Sequence, residues 1–195
     1  MPDADRDHNS WLVESGTPAT GRHIRLRQAT LDDVELLTLW SSSPHHRGEF
    51  NDFGHTTRRP YEELIAGNEL VGDHGGTLLV ERIAGPEAIG SVSWRQVRYG
   101  PTPESVAWNI GINLVPEMRG RGFGSLAQRL LADHLFATTA ANRIEAGTDV
   151  ENLAEQRSLE KAGFIREGVL RGAQYRARAW HDLVIYSVVR GDGKG

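Results

Sequence analysis

The segment Arg119-Gly120-Arg121-Gly122-Phe123-Gly124-Ser125 carries the residue types that hold an anion. Glycines let a backbone close around phosphate oxygens, and arginines add positive charge. A helix that opens there presents N–H groups with no intrahelical acceptor, backed by the helix dipole. Pro116, just upstream, ends the ladder of a strand-like run from Val106 to Leu114. The turn lacks the Gly-Lys-[Ser/Thr] ending of a P-loop. Three strand-like runs precede it instead of one opening βαβ unit, which argues against a dinucleotide fold. Taken alone, the turn is weak evidence, and a flexible surface turn whose arginines serve solubility explains it more readily.

A second group of chemistry-bearing residues lies between Ser43 and Thr57: His45, His46, Glu49, Asp52 and His55, with Phe50 and Phe53 among them. Their spacing matches no zinc pattern, so no metal is expected. The chain has 195 residues and no cysteine. Disulfides, thiolate metal sites and a cysteinyl-acyl intermediate are thereby excluded, and any acyl transfer must be direct. With 22 Lys+Arg against 26 Asp+Glu the net charge is -4, which gives no case for nucleic acid or a membrane surface as partner. No apolar run approaches a membrane span, and the acidic start Met1-Pro2-Asp3-Ala4-Asp5 is unlike a secretory signal. A cytoplasmic enzyme is the expectation.

The elements that must position these residues follow from pattern and punctuation. Ile24 to Gln28 alternates as a strand, and Thr30 caps a helix reaching Ser42. Ser43 to Thr57 reads as irregular, and Pro60 opens a second helix to Val71. Strands are predicted over 77–83, 88–97 and 106–114, punctuated by Gly85-Pro86 and Gly100-Pro101. A helix opens at Gly122 with Phe123, Leu126, Leu130 and Leu131 at helical spacing. Arg143 to Thr148 reads as a strand, Asn152 to Ala162 as a helix closed by Gly163, and 164–170 and 183–189 as strands. The order βααβββαβαββ predicts an α/β (α+β) fold, a mixed sheet with helices on both faces. Residues 1–21 are expected to form a flexible lead-in, 22–190 a single domain and 191–195 a flexible tail. The apolar strand Leu183 to Val189 leaves a monomer or a homodimer open.

With these elements in order, the chain resembles the Gcn5-related N-acetyltransferase (GNAT) superfamily. Arg119, Gly122 and Gly124 match that family's Gln/Arg-x-x-Gly-x-Gly/Ala motif, and Leu114-Val115-Pro116-Glu117 matches the passage into it. Asn152-Leu153-Ala154-Glu155-Gln156-Arg157-Ser158-Leu159-Glu160-Lys161-Ala162-Gly163-Phe164 is similar to a segment of the Rim-type branch, which acetylates ribosomal-protein N-termini. The ending Trp180-His181-Asp182-Leu183-Val184-Ile185-Tyr186-Ser187 is similar to that branch as well. The resemblance covers about Ile24 to Arg190.

It implies a mostly antiparallel mixed sheet with a splayed central strand pair, here the strands 106–114 and 143–148. It implies acetyl-CoA, or another acyl-CoA, as co-substrate without a metal. Backbone groups near Leu114 and Val115 would pair with the pantetheine arm, and the turn from Arg119 to Ser125 would take the pyrophosphate. Asn152 would reach the pantetheine arm. The acceptor would be a primary amine, on a small molecule or a peptide N-terminus, with the Ser43–Thr57 stretch as its wall.

The departures concern proton transfer. Where many relatives carry Glu the chain has Asn109, which is no base but can hold a water. Where many carry Tyr it has Leu159, leaving the adjacent Ser158 as candidate donor to a leaving thiolate. Where the Rim branch often has Ser it has Glu155. Glu145, Asp149, Glu155 and His134 are candidate bases, each more readily explained as a solvated or structural group, and Trp94 and Trp108 are more readily core than part of an acceptor pocket. An acyl carrier protein as donor, or a catalytically silent acyl-CoA sensor, remains an alternative.

Overall fold

Along strand β4 (Gly75–Arg82), Leu78 and Val80 face one side and Leu79 the other, and all three are fully buried. A strand buried on both faces needs a helical layer on each. A computed structural model describes residues 13–15, 23–53, 59–85 and 87–192, and it supplies both layers. Helices α1 (Val34–Ser42) and α3 (Tyr61–Ala66) place Leu37, Trp40, Tyr61 and Ile65 against Leu79. On the other face α4 (Phe123–Thr138) and α5 (Leu153–Lys161) bury Phe123, Ala127, Leu131, Leu135 and Leu159 against Ile24, Leu26, Leu78, Val80 and Ile110.

The remaining strands are β1 (Val13–Ser15), β2 (Ile24–Arg27), β3 (Val71–Gly72), β5 (Glu87–Arg98), β6 (Val106–Leu114), β7 (Arg143–Asp149), β8 (Ile165–Arg176) and β9 (Ala179–Val189). They form one sheet in the order β1-β2-β4-β5-β6-β7-β9-β8, with β3 added on β4. Every pairing is antiparallel except β6 with β7. The predicted fold class is therefore the observed one.

Several boundaries differ from the sequence reading. Within the expected lead-in, Val13–Ser15 pairs with residues 24–26 of β2; the rest of 1–21 lies outside the described residues, as do 193–195 of the tail. The stretch after α1 is not wholly irregular: α2 (Pro44–Arg47) starts at Pro44, and a 3-10 turn covers Glu49–Asn51. The last two strands run on to a hairpin whose turn residues Ala177 and Arg178 have φ of 49° and 66°. β9, which carries the apolar run Leu183 to Val189, lies between β7 and β8, so its edges are already paired within the sheet.

Candidate functional site

The parallel pair β6–β7 is registered only at Trp108 with Ile144 and Asn109 with Glu145. Beyond these two positions both strands continue, β6 to Leu114 and β7 to Asp149, without pairing. The sheet is thus split along its middle, and backbone groups on the inner edge of β6 line the gap. Which ones follows from the alternation of an antiparallel ladder. Val115 N–H donates to Ile89 O at 2.9 Å, one step beyond the Gly90–Leu114 register pair, so odd-numbered residues of β6 bond β5. Ile112 therefore turns both its N–H and its C=O toward the gap; Ile110 offers its C=O, its N–H closing the Asn109–Glu145 bridge, and Leu114 offers its N–H, its C=O being held by Arg119. The expectation for Val115 changes accordingly: its N–H is held by Ile89 and its C=O accepts from Met118. Sequence reading missed Ile110 and Ile112, although period two counted from the strand's end would have found them.

The gap leads to the glycine turn. Gly120 and Gly122 have φ of 70° and 85°, the left-handed region that a side chain disfavours. Gly122 is the N-cap of α4 and offers no side chain to its first N–H groups. Those groups have no intrahelical acceptor and are aligned with the dipole of a 16-residue helix, as an anion requires. A Cβ on Gly120 would meet nothing within 4 Å, so the mouth of the turn is open. Ser125 Oγ donates to Gly122 O at 3.2 Å and steadies the first turn.

The two arginines of the turn have different roles. Arg121 is exposed and makes no ion pair with another described residue. Arg119 instead donates through Nε to Leu114 O (2.9 Å) and through Nη2 to His46 O (2.5 Å), and its guanidinium lies against Gly48. It ties the segment after α1 to the end of β6. Arg119→Lys, which keeps the charge but not the planar fork, is expected to lower unfolding free energy by about 1–2 kcal/mol, measurable by denaturant titration.

On the far side of the gap stands α5. Asn152 caps it, accepting from Glu155 N–H at 3.2 Å, while Asn152 Nδ2 donates to Thr148 Oγ1 on β7 at 3.0 Å. Ser158 faces the turn, since a Cβ built on Gly124 would come within 3.0 Å of its Oγ. Ser158 Oγ donates to Gln128 Oε1 (2.8 Å), and Gln128 Nε2 donates to Glu155. Burial lifts the Glu155 carboxyl to about 7, against the smaller opposing effect of the Gln128 hydrogen bond. Gln128 was not legible as a site residue, because in sequence it is one polar residue on an amphipathic helix. Leu159 is fully buried in the core.

The opposite face of the gap is polar. Asn109 Nδ2 lies 3.4 Å from Glu145 Oε1, and Glu145 also accepts from Tyr99 OH (2.5 Å) and Arg143 Nε (3.0 Å). At the end of β7, Asp149 is paired with Arg176 and with His181 Nδ1 (3.1 Å). Arg176 also donates to Glu49 O (2.8 Å) and stacks over Phe50, so residues 44–51 form a strap pinned by Arg119 at one end and Arg176 at the other. His134 lies about 16 Å along α4 from Phe123 and is buried, with its pKa lowered by that burial. Trp94 and Trp108 are buried in the core cluster. Among the described residues no group of three His, Asp or Glu side chains could hold a metal, and no helix is long and apolar enough to cross a membrane. His55 lies outside the described residues.

This geometry can be set beside known proteins. The model of the Acetyltransferase (GNAT) domain matches residues 23–165. The probable N-acetyltransferase YjcK of Bacillus subtilis is 35% identical over 104 residues, which are 53% of this chain and 56% of that protein. The chain spans about half the length of the first curated relatives it matches. Ribosomal-protein-S5-alanine acetyltransferase from Vibrio fischeri superposes with a TM-score of 0.71 at 20% identity, covering 92% of this chain and 98% of that one. Spermidine N-acetyltransferase from Vibrio cholerae, in complex with CoA and spermine, gives 0.70 at 19%, covering 85% and 95%. At these identities the two structures share the fold. The domain match spans most of the sequence and includes both the split strand pair and the glycine turn, and on that ground the chain belongs to the GNAT acetyltransferase family.

Proposed function

We propose that the chain transfers an acetyl group from acetyl-CoA to a primary amine by direct attack. The observation that carries this reading is the β6–β7 gap running into the N-terminus of α4. An extended arm ending in a pyrophosphate fits such a site: backbone groups pair along the arm, and the helix start receives the phosphates. The Ile110 C=O, both backbone groups of Ile112 and the Leu114 N–H would pair with the pantetheine arm like a missing strand, with Asn152 opposite. The turn from Gly120 to Ser125 would hold the pyrophosphate, and Arg121, set in the turn itself, would add charge. Arg119 would act indirectly, by fixing the end of β6.

A backbone N–H on the inner edge of β6 would polarise the thioester carbonyl as negative charge develops there. The acceptor would enter from the face carrying Asn109, beneath the strap 44–51. An amine must shed a proton before attack, and Asn109 would hold the water that carries it. Glu145, engaged by Tyr99, Arg143 and Asn109, would fix the Asn109 amide. Ser158 would stabilise the departing thiolate by a hydrogen bond. The similar structures named for spermidine and for a ribosomal-protein alanine acetyltransferase both act on amines, which supports that acceptor class.

The test is release of free thiol from acetyl-CoA with a panel of polyamines and peptide N-termini. Thiol release that depends on one of them supports the reading, and tight coenzyme binding with no release from any would refute it. Ser158→Ala should lower kcat about tenfold, the worth of one hydrogen bond to a charged atom, with coenzyme affinity unchanged.

A further inference from the structure

Ser158, Gln128 and Glu155 form a chain of three side chains joined by two hydrogen bonds, bridging α4 and α5 beside the glycine turn. Gln128 is 1% exposed and has the central place. Its amide donates on one side and accepts on the other, so the chain has a direction. With Glu155 ionised, the carboxylate can only accept; Gln128 Nε2 must face it, and Oε1 must face Ser158. Ser158 then spends its one proton on Gln128 and offers only lone pairs to the cleft. Interchanging the amide O and N leaves every heavy atom in place. It needs Glu155 to donate, which requires a protonated carboxyl. Gln128 Nε2 then donates to Ser158 Oγ, and the Ser158 proton is free to point past Gly124 into the cleft.

We propose that Gln128 and Glu155 are positioning residues whose shared hydrogen-bond direction decides whether Ser158 donates or accepts toward the bound coenzyme. Only one direction lets Ser158 stabilise a thiolate, so the inference rests on the acetyl-transfer reading for its catalytic consequence. The charged groups around Glu155 are paired elsewhere. On α4, Arg129 pairs with Asp133 at 3.2 Å; on β7, Asp149 pairs with Arg176 and His181; on α5 itself, Glu160 accepts from Tyr186. Arg121, Glu151, Arg157 and Lys161 are exposed. None of them contributes to the Glu155 shift to about 7, which comes from burial and is partly offset by Gln128. Both directions are therefore populated near neutral pH.

Glu155→Gln removes the titration, because an amide offers both an N–H and a carbonyl oxygen at every pH. The variant leaves the donating direction open at every pH, so the balance of the two directions no longer depends on pH. The experiment follows the Gln128 side-chain amide resonances in isotopically labelled protein from about pH 5 to about pH 9, beside the pH profile of kcat. In the wild type the amide resonances should move with a midpoint near 7, and they should stay fixed in Glu155→Gln. Above that midpoint kcat of the wild type should fall by up to about tenfold relative to that of Glu155→Gln, whose profile carries no such limb, and Ser158→Ala should lose the limb as well. Amide resonances that do not move, or that move equally in Glu155→Gln, overturn the proposal. So does a moving amide beside a kcat ratio that ignores pH. A moving amide in a protein that acetylates no amine supports the hydrogen-bond switch and refutes acetyl transfer instead. Should Glu155→Gln fail to fold, Gln128→Met serves in its place: it removes the relay, and the same limb should vanish.

Discussion

Gly122→Asp is expected to weaken acetyl-CoA binding by at least about a hundredfold, or about 3 kcal/mol, while the protein stays folded. The stability half of this expectation follows from position. Gly122 is the N-cap of α4 in the left-handed region, and Asp is both a favoured N-cap and one of the few residues tolerated at positive φ. Its carboxylate also complements the helix dipole, so backbone strain and capping largely offset one another. The binding half follows from charge. That carboxylate would stand where the pyrophosphate is proposed to bind, and two unit charges about 4 Å apart repel by about 4 kcal/mol at an effective dielectric near 20. Gly122→Ala carries the strain without the charge and should bind more tightly than the Asp variant. Calorimetric titration of both variants with acetyl-CoA distinguishes steric from electrostatic loss.

The second large effect is on stability. Glu155→Gln should stabilise the protein by up to about 3 kcal/mol at pH 8, with the gain vanishing near pH 4. Burial raises the Glu155 carboxyl from the ordinary 4.5 to about 7. The folded state therefore holds a proton that the unfolded chain releases, and the contribution of Glu155 is most favourable below 4.5. It declines as pH rises between 4.5 and about 7 and is lost above. Gln never ionises and escapes that decline. For a domain of this size the gain corresponds to roughly 6–12 °C in Tm at pH 8. Melting curves across pH check it: a difference that is the same at pH 4 and pH 8 would mean that Glu155 does not titrate as described. A natural sequence that retains such a carboxyl forgoes stability, as functional sites commonly do.

Much of this site was legible before the structure. The turn from Arg119 to Ser125 could be placed because glycine and arginine at a strand-to-helix junction have a direct physical meaning, and Pro116 and Gly163 mark element ends. The split of β6 from β7 was an expectation carried by resemblance, since pairing partners leave no local trace in a sequence. The hairpin turn Ala177-Arg178 gave no signal at all, because neither residue is a usual choice for positive φ. The second half of β8, residues 171–176, likewise lacks the apolar alternation by which its first half was recognised. Asn109 was read alone; Glu145, 36 residues later, stands beside it only because the two strands are parallel neighbours. The strap was visible as composition, but its two pins, Arg119 and Arg176, lie 73 and 127 residues from the carbonyls they hold. Long-range hydrogen bonds of that kind are a property of the fold and not of any window of sequence.

The central claim is that the β6–β7 gap and the α4 N-terminus together hold an acyl-coenzyme A. Thermal unfolding of the wild-type chain with acetyl-CoA, and with acetyl-pantetheine at the same concentration, tests it most directly. A ligand that binds only the native state stabilises it by about 2.7 kcal/mol at a hundred times its Kd. The account predicts a clear rise in Tm with acetyl-CoA and little or none with the compound that lacks the pyrophosphate and nucleotide. No rise with acetyl-CoA, or an equal rise with both compounds, would contradict it.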